Sequence, residues 1–198
     1  MLAGLKRAAY HIIHDAFVAT TNADVDGLDD RHRSIYDRMQ AQDQRASRNE
    51  LAPKSARWLK ASAGVKQLLY HNVSSASVNG RLLVRIGKAL LPILRREISP
   101  TKLMLSEQLL YTYYEKALRV DRVLSQIAQL LQISAHHNPR ATVLEIGAGT
   151  GACTGAIPNA LGGGDSGAPL TFSHYTFTDI SPEFLDQFAR GLPRGAIL

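Results

Sequence analysis

Apolar residues at positions 5, 8, 9, 12, 13, 16 and 17 (Leu5, Ala8, Ala9, Ile12, Ile13, Ala16, Phe17) recur at helical spacing and predict an amphipathic helix over 5–20. The polar stretch 21–30, with Asn22, Asp24, Asp26, Gly27, Asp29 and Asp30, reads as a loop. A polar helix is expected over 31–49, where Ile35, Tyr36 and Met39 give it a thin apolar stripe. Pro53 punctuates the chain, and Trp58, Leu59, Ala63, Val65, Leu68 and Leu69 predict a third helix over 55–70. Residues 72–80 form a Ser/Asn/Gly stretch that reads as a loop. Leu82, Leu83, Ile86, Ala89, Leu90, Ile93 and Leu94 define one face of a stronger helix over 81–97, which Pro92 should kink or split. Ser99-Pro100 ends it, and 102–137 is nearly all helix former until Asn138-Pro139 breaks the pattern. Tyr111, Tyr113 and Tyr114 cluster there and read as core packing or as a lid surface over a ligand.

After position 139 the periodicity changes. Residues 140–146 are apolar on both faces, as in a strand buried in the middle of a parallel sheet. A glycine-rich turn, Gly147-Ala148-Gly149-Thr150-Gly151, leads into a helix over 152–161 and a loop over 162–169. A second strand over 173–179 ends on Asp179, completing a β-α-β unit. Ser181-Pro182-Glu183 then gives a hydroxyl cap, proline at the first helical position and an acid in the first turn, so a helix to about 190 is expected. Residues 191–198 show neither a strong helix nor a further strand. The fold class is therefore α/β: a helical part over 1–138, then the first β-α-β-α portion of a Rossmann-like fold with an incomplete sheet over 139–198.

Composition adds limits. A hydrophobic content of 45% against 20% charged residues is that of a globular protein. No apolar run is long enough for a membrane span, and the N-terminus lacks the apolar region of a secretory signal. Cys153 is the lone cysteine, which excludes an internal disulfide and fits a reducing, cytoplasmic setting. The net charge of +6 is scattered. Its densest patches, Arg31-His32-Arg33 and Arg95-Arg96, lack aromatic interleaving, which argues for a solvated surface and against nucleic acid. His11 and His14 share a helix face without a third metal ligand in view, and Asp24-x-Asp26 lacks the glutamate that closes a calcium loop.

The turn itself carries chemistry. Gly147 and Gly149 allow backbone angles closed to other residues and remove side chains that would block a ligand, while Gly151 permits close packing of helix on strand. Amides at a helix N-terminus favour an anion. Asp179, at the carboxyl end of the second strand, is placed to accept both hydroxyls of a ribose. Ala152 satisfies the looser dinucleotide pattern, so spacing alone leaves nicotinamide or flavin cofactors open. Glu145 shifts the balance. Two residues before the first glycine, it would attract a cationic amino group and repel a pyrophosphate.

Leu144-Glu145-Ile146-Gly147-Ala148-Gly149-Thr150-Gly151 resembles motif I of class I S-adenosyl-L-methionine-dependent methyltransferases. Together with His137-Asn138-Pro139-Arg140 and Tyr175-Thr176-Phe177-Thr178-Asp179-Ile180-Ser181, it is similar to the C-methyltransferase domain of fungal highly reducing polyketide synthases. Gly80-Arg81-Leu82-Leu83, Ile86-Gly87, Leu103-Met104, Leu109-Leu110-Tyr111 and Tyr113-Tyr114 resemble that domain's helical lid. The resemblance implies methyl transfer to the α-carbon of a β-ketoacyl chain carried by the phosphopantetheine of an acyl carrier protein, beside other synthase domains. Glu145, Gly147, Gly149 and Gly151 would line the methionine part of S-adenosyl-L-methionine, Asp179 would hold its ribose, and Tyr113 and Tyr114 would close the lid over it. The family's later strands, adenine-contacting loop and catalytic histidine–glutamate pair have no counterpart here, so no catalytic residue is assigned. A C-terminally truncated domain, inactive and poorly stable alone, is the expectation. The alternatives are a non-catalytic cofactor-binding or interaction remnant and a free-standing small-molecule O-methyltransferase.

Overall fold

The computed structural model describes residues 1–163, 171–182 and 184–185. The chain divides into two compact units, Met1–Tyr113 and Tyr114–Leu198.

The first unit is helical. Helix α1 (Leu2–Ala19) is its centre, as the apolar spacing predicts. One side of α1 packs Ala8 and Ile12 against Tyr70, Val73 and Val84 of helices α4 (Ala63–Ala76) and α5 (Val78–Lys88). Further along α1, Ala16 packs against Met39 of α3 (Asp30–Ser47) and Leu94 of α6 (Leu90–Leu94). Two close approaches hold this arrangement. A Cβ on Gly80 would lie 1.7 Å from the carbonyl oxygen of Val73, and one on Gly87 would lie 2.4 Å from Cδ1 of Ile12. Only glycine lets α5 sit this near α4 and α1.

Several helix boundaries differ from those the sequence predicts, mostly because serine and threonine act as caps. The expected loop 21–30 contains a short helix α2 (Asn22–Asp26): Thr21 accepts from the Asp24 amide at 3.2 Å, and the Asp24 carboxylate accepts from the Thr21 amide at 2.8 Å. Asp24 also accepts two hydrogen bonds from Arg95 at 2.7 and 3.0 Å, so its carboxylate is already engaged by the chain itself. The third predicted helix is two pieces, a 3₁₀ turn over Ser55–Lys60 and α4, whose start Ser62 caps. The expected Ser/Asn/Gly loop 72–80 is instead the end of α4 and the start of α5, with Ser77 accepting from the Gly80 amide at 3.1 Å. The next predicted helix splits at Ala89, three residues before Pro92, as proline requires. Ser99 both ends that run and caps α7 (Pro100–Leu105).

The long helical stretch 102–137 is also interrupted. Positive φ angles at Glu107 (56°) and Gln108 (54°) separate α7 from α8 (Leu109–Lys116), and Arg119 (71°) precedes α9 (Val120–His137). Helix α9 stops at Asn138, as predicted.

The second unit contains the β-α-β unit. Strand β1 (Thr142–Ile146) pairs in parallel with β2 (His174–Thr178), with Val143 opposite Tyr175 and Glu145 opposite Phe177. Between them lie α10 (Ala152–Pro158) and a π-type turn over Asn159–Gly163. Ala135, Ile157, Leu161 and Tyr175 form the core, flanked by Ile127, Leu131 and Val143. That core covers one face of the strands. On the other face Leu144 is 59% exposed and Ile146 81% exposed, so the described residues do not enclose β1 on both sides as its apolar sequence predicts. The loop expected over 162–169 and the helix expected to about 190 lie largely outside the described residues, as does 191–198 entirely. No helix among the described residues is long and apolar enough to cross a membrane.

Candidate functional site

Strand alternation sorts the side chains of β1. Val143 and Glu145 point toward α10, and Leu144 and Ile146 point away. In a parallel pair, residues opposite each other share a face, so Tyr175 and Phe177 of β2 stand beside Val143 and Glu145. Glu145 is thereby half-buried beneath the start of α10. Its Oε2 accepts the Thr154 hydroxyl at 2.6 Å and the Tyr175 hydroxyl at 2.9 Å. Burial, then this hydrogen bond to a carboxylate, pushes the Tyr175 phenol well above its ordinary pKa.

The turn after β1 is fastened to the end of β2. The amides of Gly147 and Ala148 both donate to the Thr178 carbonyl, at 2.8 and 2.9 Å, and the Thr178 hydroxyl donates back to the Glu145 carbonyl at 3.1 Å. The chain then turns through φ of 76° at Gly147, 57° at Gly149 and 79° at Gly151, a left-handed series that glycine adopts without penalty. Among the described residues, a Cβ placed on Gly147 meets nothing within 4 Å, and one on Gly149 meets only the Gly147 carbonyl oxygen at 3.9 Å. The inside of the turn is thus open to an approaching group.

Asp179 closes the arrangement. Its Oδ1 accepts from the Ser181 amide and its Oδ2 from the Gly149 amide, each at 2.8 Å. These amides, Ser181 first, hold the carboxyl below the usual carboxylate range. The Ile180 amide adds to them, and with about four acceptor positions on a carboxylate, capacity remains for a ligand hydroxyl. The structure brings together Glu145, Gly147, Gly149, Gly151 and Asp179 at the carboxyl ends of two parallel strands, where α/β sheets bind ligands.

Tyr114 stands on α8 and is 50% exposed. It lines an apolar groove of about 240 Å³ with Leu118, Val123, Leu124, Ile127, Ala152 and Cys153. The groove reaches the first residues after the glycine turn. Burial and, secondarily, the Glu145 carboxylate raise the pKa of the Cys153 thiol, which makes it a poor nucleophile. Elsewhere, His14 Nδ1 lies 2.6 Å from Asp43 Oδ1, and His11 is wholly buried with Arg7 donating to its Nε2 at 3.4 Å. No group of three His, Cys, Asp or Glu side chains able to hold a metal occurs among the described residues.

The sequence reading did not single out Thr154 and Tyr175 as partners of Glu145. Alternation already puts Tyr175 and Phe177 on one face. The missing information was the pairing register, which decides which residues of β1 they join.

No protein-family model matches the chain. It is 42% identical over 186 residues to the squalestatin tetraketide synthase of a Phoma species, covering 94% of this chain and 7% of that protein. It is 43% identical over 185 residues to the highly reducing polyketide synthase azaB of Aspergillus niger, covering 92% of this chain and again 7% of the synthase. The chain thus spans a small segment of the synthases it matches. Among solved structures, the trans-methyltransferase CalH in complex with SAH superposes with a TM-score of 0.76 at 21% identity, over 97% of this chain and 53% of that one. The DszA carbon methyltransferase gives 0.65 at 20% identity, over 96% and 54%.

Proposed function

We propose that this chain, homologous to a segment of fungal highly reducing polyketide synthases and built on a methyltransferase fold, is the cofactor-binding portion of a synthase C-methyltransferase domain. On this reading residues 1–138 form the helical lid and 139–198 begin the S-adenosyl-L-methionine domain. The observation that carries it is the open glycine turn flanked by two carboxylates at the strand ends. Glu145 disfavours a pyrophosphate at that point and favours an ammonium group. Asp179 retains acceptor capacity for the ribose hydroxyls, and the bare inner side of Gly147 and Gly149 admits the methionine backbone.

S-adenosyl-L-methionine would supply an electrophilic methyl group. The chain's own residues bind and orient it: Glu145 takes the amino end, Asp179 the ribose, and Tyr114 borders the groove beside the turn. The acceptor is the α-carbon of a β-ketoacyl chain on the phosphopantetheine of an acyl carrier protein, with other synthase domains as neighbours. Two flanking carbonyls acidify that carbon, so a modest general base suffices. The likeness to synthase segments across nearly the whole chain supports this acceptor over that of a free-standing O-methyltransferase.

Isothermal titration with S-adenosyl-L-methionine tests the reading. Binding by the wild-type chain and its loss in Asp179→Ala are expected. Binding of NADH in place of S-adenosyl-L-methionine would sink it.

A further inference from the structure

Resting on the cofactor reading above, we infer that Thr154 and Tyr175 are positioning residues that hold one oxygen of Glu145 so that the other is presented to the α-ammonium group of the bound nucleoside. Both hydroxyls converge on Oε2, from α10 at 2.6 Å and from β2 at 2.9 Å. Thr154 is 6% exposed and Tyr175 5% exposed, so neither can swing away to solvent without opening the core. Glu145 has no freedom to choose a different rotamer while both bonds are made.

A second feature points to what the other oxygen is for. Among the described residues no Lys, Arg or His pairs with Glu145, although ion pairs occur elsewhere in the chain. Half-burying a carboxylate with only hydroxyl dipoles beside it is costly unless something completes the charge. Oε1 accepts no hydrogen bond from a described residue, so a ligand cation can reach it. Hydroxyls suit this role better than a resident arginine or lysine would. They orient the carboxylate while leaving its charge unneutralised.

The test compares two ligands that differ at the amino-acid end. S-adenosylhomocysteine carries the α-ammonium group, and 5′-methylthioadenosine has the same nucleoside and a thioether without it. Losing a hydrogen bond that aims a charged group at its ligand should weaken that ligand roughly ten-fold. Tyr175→Phe and Thr154→Val should each weaken S-adenosylhomocysteine about ten-fold and leave 5′-methylthioadenosine unchanged. Thr154→Ser should restore affinity. The double variant should lose less than the sum, because both hydroxyls act through one oxygen. If Tyr175→Phe fails to fold, the Thr154→Val and Thr154→Ser pair decides the matter alone. Equal losses for both ligands, or none, in a chain whose wild type binds S-adenosylhomocysteine would overturn the positioning role and leave the cofactor reading standing. A wild type that binds neither ligand would overturn the cofactor reading, and this inference with it.

Discussion

Replacing Gly147 with alanine separates the turn's structural cost from its binding role. The residue sits at φ 76°, so an alanine there must adopt the left-handed region. That costs about 1–2 kcal/mol, partly offset by the lower entropy of the unfolded alanine chain. No steric term is added, because the new Cβ finds no atom of the described residues within 4 Å. The net loss of stability should be about 1 kcal/mol. Binding should suffer more. The same methyl group projects into the space assigned to the methionine part of the cofactor, where overlap costs on the order of 1–3 kcal/mol, or about ten-fold and upward in Kd. Gly155→Ala is the control. It also meets nothing within 4 Å but lies within α10, so it should raise stability by roughly 0.5–1 kcal/mol and leave affinity alone. Urea melts and calorimetric titration with S-adenosyl-L-methionine read the two quantities. An unchanged Kd in Gly147→Ala, or a stability loss above about 3 kcal/mol, would refute the claim that the space is kept open for a ligand.

The remaining predictions concern the helical unit. Gly80→Ala should be far more damaging than Gly87→Ala, because the first methyl meets the Val73 backbone and the second meets the movable end of Ile12; overpacking costs of about 1–3 kcal/mol apply at Gly87, and failure to accumulate as folded protein is expected at Gly80. Comparable circular-dichroism melts for the two would contradict the close α4–α5 approach. Burial, with help from the nearby Lys66 and Arg7 charges, lowers the His11 pKa to about 4 from 6.5. The unfolded chain therefore takes up a proton first, and stability present above pH 6.5 should be lost as pH falls toward 4, by about 3 kcal/mol at most. His11→Leu should flatten that part of the pH profile. It should cost little at pH 7, since buried His11 Nδ1 has no hydrogen-bond partner among the described residues; an unchanged acid slope would show that other groups set it.

The β-α-β unit was legible because two signals coincide there, a doubly apolar strand and a glycine series no helix would carry. Structure agrees with the sequence on α1, on the end of α9 at Asn138 and on both strands to within two residues. The helix breaks were harder. Ser77 falls in an expected loop and Ser62 inside an expected helix, yet each is the cap that lets one helix follow another almost without a gap. Breaks at Glu107, Gln108 and Arg119 have no glycine or proline to announce them. Local propensity is too weak a guide to forecast such positions. At the site, the glycines and Asp179 could be found from spacing. The bonds from Thr154 and Tyr175 to Glu145 could not, since a shift of one residue in strand register would send Tyr175 to the opposite face.

A crystal structure of the chain with bound S-adenosylhomocysteine tests the account most directly. The account predicts the ligand's ammonium group within hydrogen-bond distance of Glu145, its ribose hydroxyls on Asp179, and its amino-acid backbone against the inner side of Gly147 and Gly149. A ligand seated away from the glycine turn, or one whose ribose and ammonium engage neither carboxylate, would contradict it.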